Sequence, residues 1–182
     1  EVSPLSLAEA YATFASGGIH CDPIILESIT VRSGGERDVP SANCQRVISE
    51  DVANAMNSLL SSVMTKGTGR RALTADGRPQ AGKTGTIDSN AAVWFAGYTP
   101  QVAGVAMISI DNTRVPFVKD RAGYRYSGLK GYTVPSTGRA LEGSGGGDAG
   151  QDIWKPAMEA YLSGTPAEGF SPPPPHLIRG TR

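Results

Sequence analysis

The sequence is short of cysteine, of net charge and of long apolar runs, and each shortage excludes something. Cysteine occurs twice, at Cys21 and Cys44. The two stand too far apart for a Cys-x-x-Cys site, and His20 and His176 complete no ligand set with them, so no metal is expected. They read either as a disulfide formed in an oxidising compartment or as two buried thiols. A disulfide would tie the region near residues 24–31 to the start of the next helix. Basic and acidic residues both number 17, for a net charge of +0, which removes any electrostatic case for a nucleic-acid partner. There is no run of about 20 apolar residues to cross a membrane as a helix, and no basic stretch leading into an apolar one as in a signal peptide. The chain opens on Glu1 rather than Met, as a fragment or a processed chain does.

What remains is 182 residues, 39% of them hydrophobic, enough for one domain with a core. The 23 glycines and 13 prolines gather between residues 123 and 150 and beyond 164, and so mark loops. Ser6 and Glu9 have capping-box spacing, with Ser3-Pro4 as an earlier start. Leu7, Ala10, Tyr11 and Phe14 then give a helix ending at Gly17-Gly18. Ile24, Ile25, Leu26, Ile29 and Val31 predict one extended segment. Ser49 caps a second helix with the apolar face Val52, Ala55, Met56, Leu59, Leu60 and Val63, in which Met56 and Met64 are core fillers. Three strands follow, over residues 80–86, 92–98 and 102–110. Their short links predict an antiparallel meander, and Trp94 and Phe95 face opposite sides of it. Asp111-Asn112-Thr113 ends the run, and residues 115–118 read as a short extended piece. Residues 143–148 read as the least ordered part, and Asp152 caps a last helix reaching Leu162. Residues 172–175 favour a polyproline conformation. The expected organisation is a domain over residues 1–163 and a Pro-rich tail over residues 164–182.

Chemistry concentrates at Ala81-Gly82-Lys83-Thr84-Gly85-Thr86. Residues 77–84 match the phosphate-binding string G-x-x-x-x-G-K-T, but that motif must follow a strand and open a helix. Leu73-Thr74-Ala75-Asp76 makes a poor strand, and an aromatic strand follows the lysine closely. On a strand the residues act differently. Lys83 and Gly85 fall on one face, and Thr84 and Thr86 on the other. Lys83 offers a positive charge beside a reacting group, Thr84 and Thr86 offer hydroxyl donors, and Gly85 lets a ligand approach the backbone. Gly67-Thr68-Gly69-Arg70-Arg71 reads either as a solvated connection or as a rim beside Lys83.

Lys83-Thr84-Gly85 is also the third signature of serine acyl-transferases that recognise penicillins. Residues 2–15, Gly67-Thr68-Gly69, residues 81–86, Trp94-Phe95-Ala96-Gly97-Tyr98-Thr99-Pro100 and Ile153-Trp154-Lys155 occur together in an order that resembles one family. The chain is similar, over residues 2–162, to the C-terminal part of the transpeptidase domain of class A (bifunctional) penicillin-binding proteins, with an actinobacterial flavour. The resemblance implies an α+β fold, a partial serine beta-lactamase/D,D-peptidase-like domain with an antiparallel sheet flanked by helices. It implies a serine D,D-transpeptidase that cross-links peptidoglycan stem peptides, is acylated by beta-lactams and uses no cofactor. In it Lys83 is catalytic, Thr84, Gly85 and Thr86 bind substrate, and the Thr86 backbone supplies an oxyanion amide. The family also needs an upstream S-x-x-K and S-x-N. Ser127-Gly128-Leu129-Lys130 and Ser41-Ala42-Asn43 match those strings in the wrong places, and both read as chance. This chain therefore holds no nucleophile. A companion N-terminal half carrying both motifs is the expected partner, anchored at the extracytoplasmic face of the bacterial membrane by an upstream segment. A non-catalytic assembly or binding module of the same fold is the alternative, and a serine beta-lactamase fragment a further one.

Overall fold

A computed structural model describes residues 2–110 and 128–178. Residues 111–113 and 115–118 and the Ser127 of the serine-lysine string lie outside the described residues.

Helix α1 spans Pro4–Ala15. Ser3 caps it, its hydroxyl accepting from the Ser6 amide at 3.1 Å, and Pro4 sits where a helix has no use for an N–H. The helix therefore starts at Ser3, and the Ser6–Glu9 spacing goes unused. Gly17 (φ 70) and Gly18 (φ 99) end it in the left-handed region, with the Gly18 amide returning to the Thr13 carbonyl at 2.8 Å.

A small arm follows. β1 (Ile19–His20) pairs antiparallel with β4 (Gln45–Arg46), and β2 (Ile29–Thr30) with β3 (Glu36–Arg37). A disulfide joins Cys21 to Cys44 beside the β1–β4 pair. The extended segment expected over residues 24–31 shrinks to β2. Ile25 is 95% exposed, and Ile24 and Leu26 are exposed as well; among the described residues no strand lies alongside them to complete a ladder.

Helix α2 covers Glu50–Thr65. Ser49 accepts from the Val52 amide, and Glu50 and Asp51 lie in the first turn, where carboxylates suit the helix dipole. Its inward face differs from the apolar pattern. Ala53, Asn54, Asn57, Leu60 and Met64 are buried, while Val52 and Leu59 are exposed. The reason is polar. Asn57 donates to the Phe14 carbonyl at 3.0 Å and accepts from the Tyr98 hydroxyl at 2.7 Å, so an amide occupies the centre of the contact.

The meander forms as expected. β5 (Ala81–Thr86), β6 (Ala92–Tyr98) and β7 (Ala103–Ser109) make a sheet of order β5-β6-β7, antiparallel throughout. Side-chain alternation sends Tyr98 to one face and Phe95 to the other. Tyr98 meets Tyr11 of α1, ring centroids 5.9 Å apart, and Asn57 of α2. Phe95 meets Trp154 at 5.1 Å. The sheet is thus the middle of three layers.

The third layer is a wide, π-type helix, Gly145–Trp154, running straight into α3 (Lys155–Tyr161). This corrects the reading of residues 143–148 as poorly ordered and of Asp152 as the cap. Ser144 is the cap, its hydroxyl accepting from the Gly147 amide at 3.1 Å. Asp148 is fully buried. The glycines are there for contact. A Cβ on Gly145 would stand 2.5 Å from the Trp94 carbonyl oxygen and 2.8 Å from that of Gly85, and one on Gly150 would stand 3.0 Å from the Phe95 ring. Bare backbone lets this helix lie directly on the sheet. Trp154 then anchors it, its indole N–H shared between the Gly97 and Gly104 carbonyls at 3.1 Å each.

Beyond α3 the chain folds back. Arg78, 6% exposed, ion-pairs Asp76 and donates to the Leu162 and Thr165 carbonyls. Phe170 packs edge-on against Tyr98 at 5.5 Å. Of the four prolines expected to be extended, only Pro175 departs: it opens α4 (Pro175–Ile178), a single turn.

Candidate functional site

The site is built on the outer edge of β5. Residues pair across β5 and β6 so that Ala81 faces Tyr98 and Thr86 faces Val93. The Ile87 amide donates to the Ala92 carbonyl at 2.9 Å, which fixes the parity of the ladder. Ala81, Lys83 and Gly85 exchange bonds with β6, whereas the amides and carbonyls of Gly82, Thr84 and Thr86 point away from it. Among the described residues no strand takes up that outer edge. Lys83 is exposed, and its ammonium donates to the Thr84 carbonyl at 2.8 Å, so the cation already lies along this edge.

Thr84 is flanked by a second element. The loop after α2 places the Thr68 hydroxyl 2.8 Å from the Thr84 hydroxyl. Gly67-Thr68-Gly69 is therefore a rim of the β5 edge and not merely a connection. The short 3-10 turn Arg70–Ala72 follows it. There Arg71 forms a two-pronged ion pair with Glu142 and donates to Gln151 at 2.7 Å. The pairing holds the Glu142 carboxyl below its ordinary range and raises Arg71. This bridge joins the rim to the π-type helix.

Behind the edge, the first turn of the π-type helix supports β5 from Gly85 to Thr84. A Cβ on Gly146 would fall inside the Thr68 carbonyl oxygen and 3.5 Å from Thr84 Cγ2. The loop leading into that turn is held by Asp148, which accepts from the amides of Glu142 (3.1 Å), Gly143 (2.8 Å) and Ser144 (3.0 Å). Sequence reasoning overlooked Ser144, the glycines and Asp148. The available signal was a helix-capping serine followed by an acid one turn later.

The structure brings Lys83, Thr84, Gly85 and Thr86 onto one edge and leaves the look-alike strings elsewhere. Ser41 and Asn43 belong to the disulfide arm, where the Asn43 amide donates to Asp22 at 2.9 Å. Leu129 is buried and its amide bonds the Asn90 carbonyl at 2.8 Å, in a turn rather than a helix. β5 continues through Lys83 to Thr86 where a phosphate loop would have to open a helix, so that reading is excluded on geometry. Among the described residues there is no group of three metal-binding side chains and no helix long and apolar enough to cross a membrane.

The chain is similar to known proteins. Penicillin-binding protein 1A of Aquifex aeolicus is 30% identical over 180 residues, covering 98% of this chain and 21% of its own length. Penicillin-binding protein 1A of Neisseria gonorrhoeae is 29% identical over 178 residues, covering 95% and 19%. The chain thus spans about a fifth of the length of these relatives. A solved structure of PonA1 from Mycobacterium tuberculosis in complex with penicillin V superposes with a TM-score of 0.69 at 26% identity, covering 94% of this chain and 41% of that one. Penicillin-binding protein 1A of Haemophilus influenzae shares the fold at TM-score 0.64 and 23% identity, covering 95% and 28%. Residues 1–126 match the penicillin binding protein transpeptidase domain, and the chain belongs to that family.

Proposed function

We propose that this chain is the C-terminal part of the transpeptidase domain of a class A penicillin-binding protein of actinobacterial type, and that it forms one wall of a serine D,D-transpeptidase site. The observation that carries the reading is the Lys83-Thr84-Gly85-Thr86 strand with its outer edge unpaired. A peptide laid along that edge meets outward amides and carbonyls at Thr84 and Thr86, in the manner of an added strand. The Thr86 amide is the oxyanion donor for the attacked carbonyl. The Thr84 and Thr86 hydroxyls bind the carboxylate of the acyl donor, and Lys83 supplies positive charge beside the nucleophile.

The nucleophile comes from a companion N-terminal half bearing S-x-x-K and S-x-N. Exposed Val2 ahead of α1, Leu5 on α1, and Val52 and Leu59 on α2, with the open β5 edge, support a neighbour of that kind. In the reaction, a serine hydroxyl attacks the D-alanyl-D-alanine carbonyl of a peptidoglycan stem and D-alanine leaves with the proton. An acceptor amine then displaces the serine. Beta-lactams enter the same acylation and stop there. A disulfide at Cys21–Cys44 suits the extracytoplasmic face of the membrane, where an upstream segment anchors the protein. The domain runs over residues 1–163, followed by the Pro-rich segment.

The test is acylation of the whole protein by a labelled penicillin. Labelling of the wild type, and a fall on the order of a hundredfold or more in Lys83→Ala, is the expected result. An unlabelled wild-type protein would sink the proposal.

A further inference from the structure

Thr68 is held with a stringency that its exposed position does not call for. Its two neighbours are glycines where a side chain would press on the end of α2. A Cβ on Gly67 would stand 2.9 Å from Val63 Cα, and one on Gly69 would stand 2.8 Å from Met64 Sδ. The Gly69 amide closes the turn onto the Val63 carbonyl at 3.0 Å. From the other side Gly146 presses on the Thr68 carbonyl so closely that a Cβ there would overlap it. The loop is thus clamped between the end of α2 and the first turn of the π-type helix. What the clamp presents is one hydroxyl, 2.8 Å from the hydroxyl of Thr84.

A threonine hydroxyl has one proton and two lone pairs, and its proton rotates freely unless a neighbour fixes it. If Thr68 donates to Thr84, one Thr84 lone pair is filled and the Thr84 proton is directed elsewhere, available to an anion. The same pairing polarises the Thr84 hydroxyl and strengthens its own donation. We infer that Thr68 is a positioning residue: through the Thr68–Thr84 hydroxyl pair it orients Thr84 to donate to the carboxylate of the acyl donor. This rests on the transpeptidase reading above and adds a residue outside the Lys83–Thr86 strand.

The experiment compares acylation of the whole protein by benzylpenicillin and by its methyl ester, which lacks the charge. Thr68→Val keeps the shape and removes the hydroxyl. It should lower the second-order acylation rate for the free acid about tenfold, because the Thr84 hydroxyl that bonds the carboxylate is no longer oriented, and leave the ester rate unchanged. The change should lie in the half-saturating concentration and not in the limiting rate. Thr68→Ser should stay within about twofold of wild type. Thr68→Ala, also without a hydroxyl, should repeat the valine result and serves if the valine variant does not fold. A hydroxyl-less variant acylated by the free acid at the wild-type rate would overturn the inference. So would equal losses on acid and ester, which report a general disturbance of the strand. If the wild type is acylated equally by both, the assignment of Thr84 to a carboxylate falls, and Thr68 with it. If the wild type is not acylated at all, the transpeptidase reading itself has failed.

Discussion

Asp148→Ala would strip three main-chain amides of their acceptor at once. The carboxylate is fully buried and receives Glu142, Gly143 and Ser144 at 2.8–3.1 Å. A buried donor left unpaired costs about 1–3 kcal/mol. Three such donors set an upper bound that water entry and loop relaxation reduce, so a loss of about 4 kcal/mol is the working figure, at the top of the range for one substitution. Asp148→Asn is the calibrating variant. With its carbonyl turned to the site of Oδ2 it still serves Gly143 and Ser144, while Glu142 loses its acceptor and Arg139 the carboxylate 3.9 Å from its guanidinium, at about 2 kcal/mol. Urea unfolding of the whole protein gives the global values. Hydrogen exchange at the three amides gives the local one, with protection falling roughly a thousandfold in the alanine variant if the loop opens on its own. Alanine and asparagine variants both within 1 kcal/mol of wild type, with unchanged exchange at residues 142–144, would refute the claim that this carboxylate organises the turn.

Two further outcomes test other parts of the molecule. Removing the Cys21–Cys44 bridge as the double serine variant frees a loop with a sequence separation of 23. It should cost about 3 kcal/mol by loop entropy, read by urea unfolding with and without reductant; no difference would mean that the arm unfolds independently of the core. The Glu142 carboxyl, held down chiefly by its hydrogen bond to Arg71, should titrate by NMR below the ordinary glutamate range and move up in Arg71→Gln. Because its folded value is the depressed one, its contribution is present above the unfolded carboxyl's range and disappears as pH falls through the folded midpoint. Both partners are nearly half exposed, so the effect on stability is small.

The meander was legible because each strand carries its own signal. Its aromatic and β-branched residues mark β6, Thr99-Pro100-Gln101 marks the turn, and the antiparallel order follows from short links. Helix α2 announced its start through Ser49. Its buried face was misread because Asn57 is inside for the sake of Tyr98, a residue 41 positions away. Residues 143–148 were misread for the same reason in stronger form. Gly145 and Gly146 show no local preference, since what requires them is the backbone of Gly85, Trp94 and Thr68. Ile24, Ile25 and Leu26 look like a strand, but a strand needs a partner, and partners are not written locally. At the site, the strand carrying Lys83, Thr84, Gly85 and Thr86 could be read from order and spacing. The clamp around Thr68 could not, because it exists only where three separate segments meet.

The outer edge of β5 has a consequence for handling the chain by itself. Six residues with an outward row of amides and carbonyls, no proline and no bulge form a template that any extended strand can join. Its one charge, on Lys83, lies folded along that same edge and guards it weakly. Expressed without whatever normally lies against it, this segment should pair with copies of itself. On the proposed reading, the companion half would then also be what keeps the protein in solution.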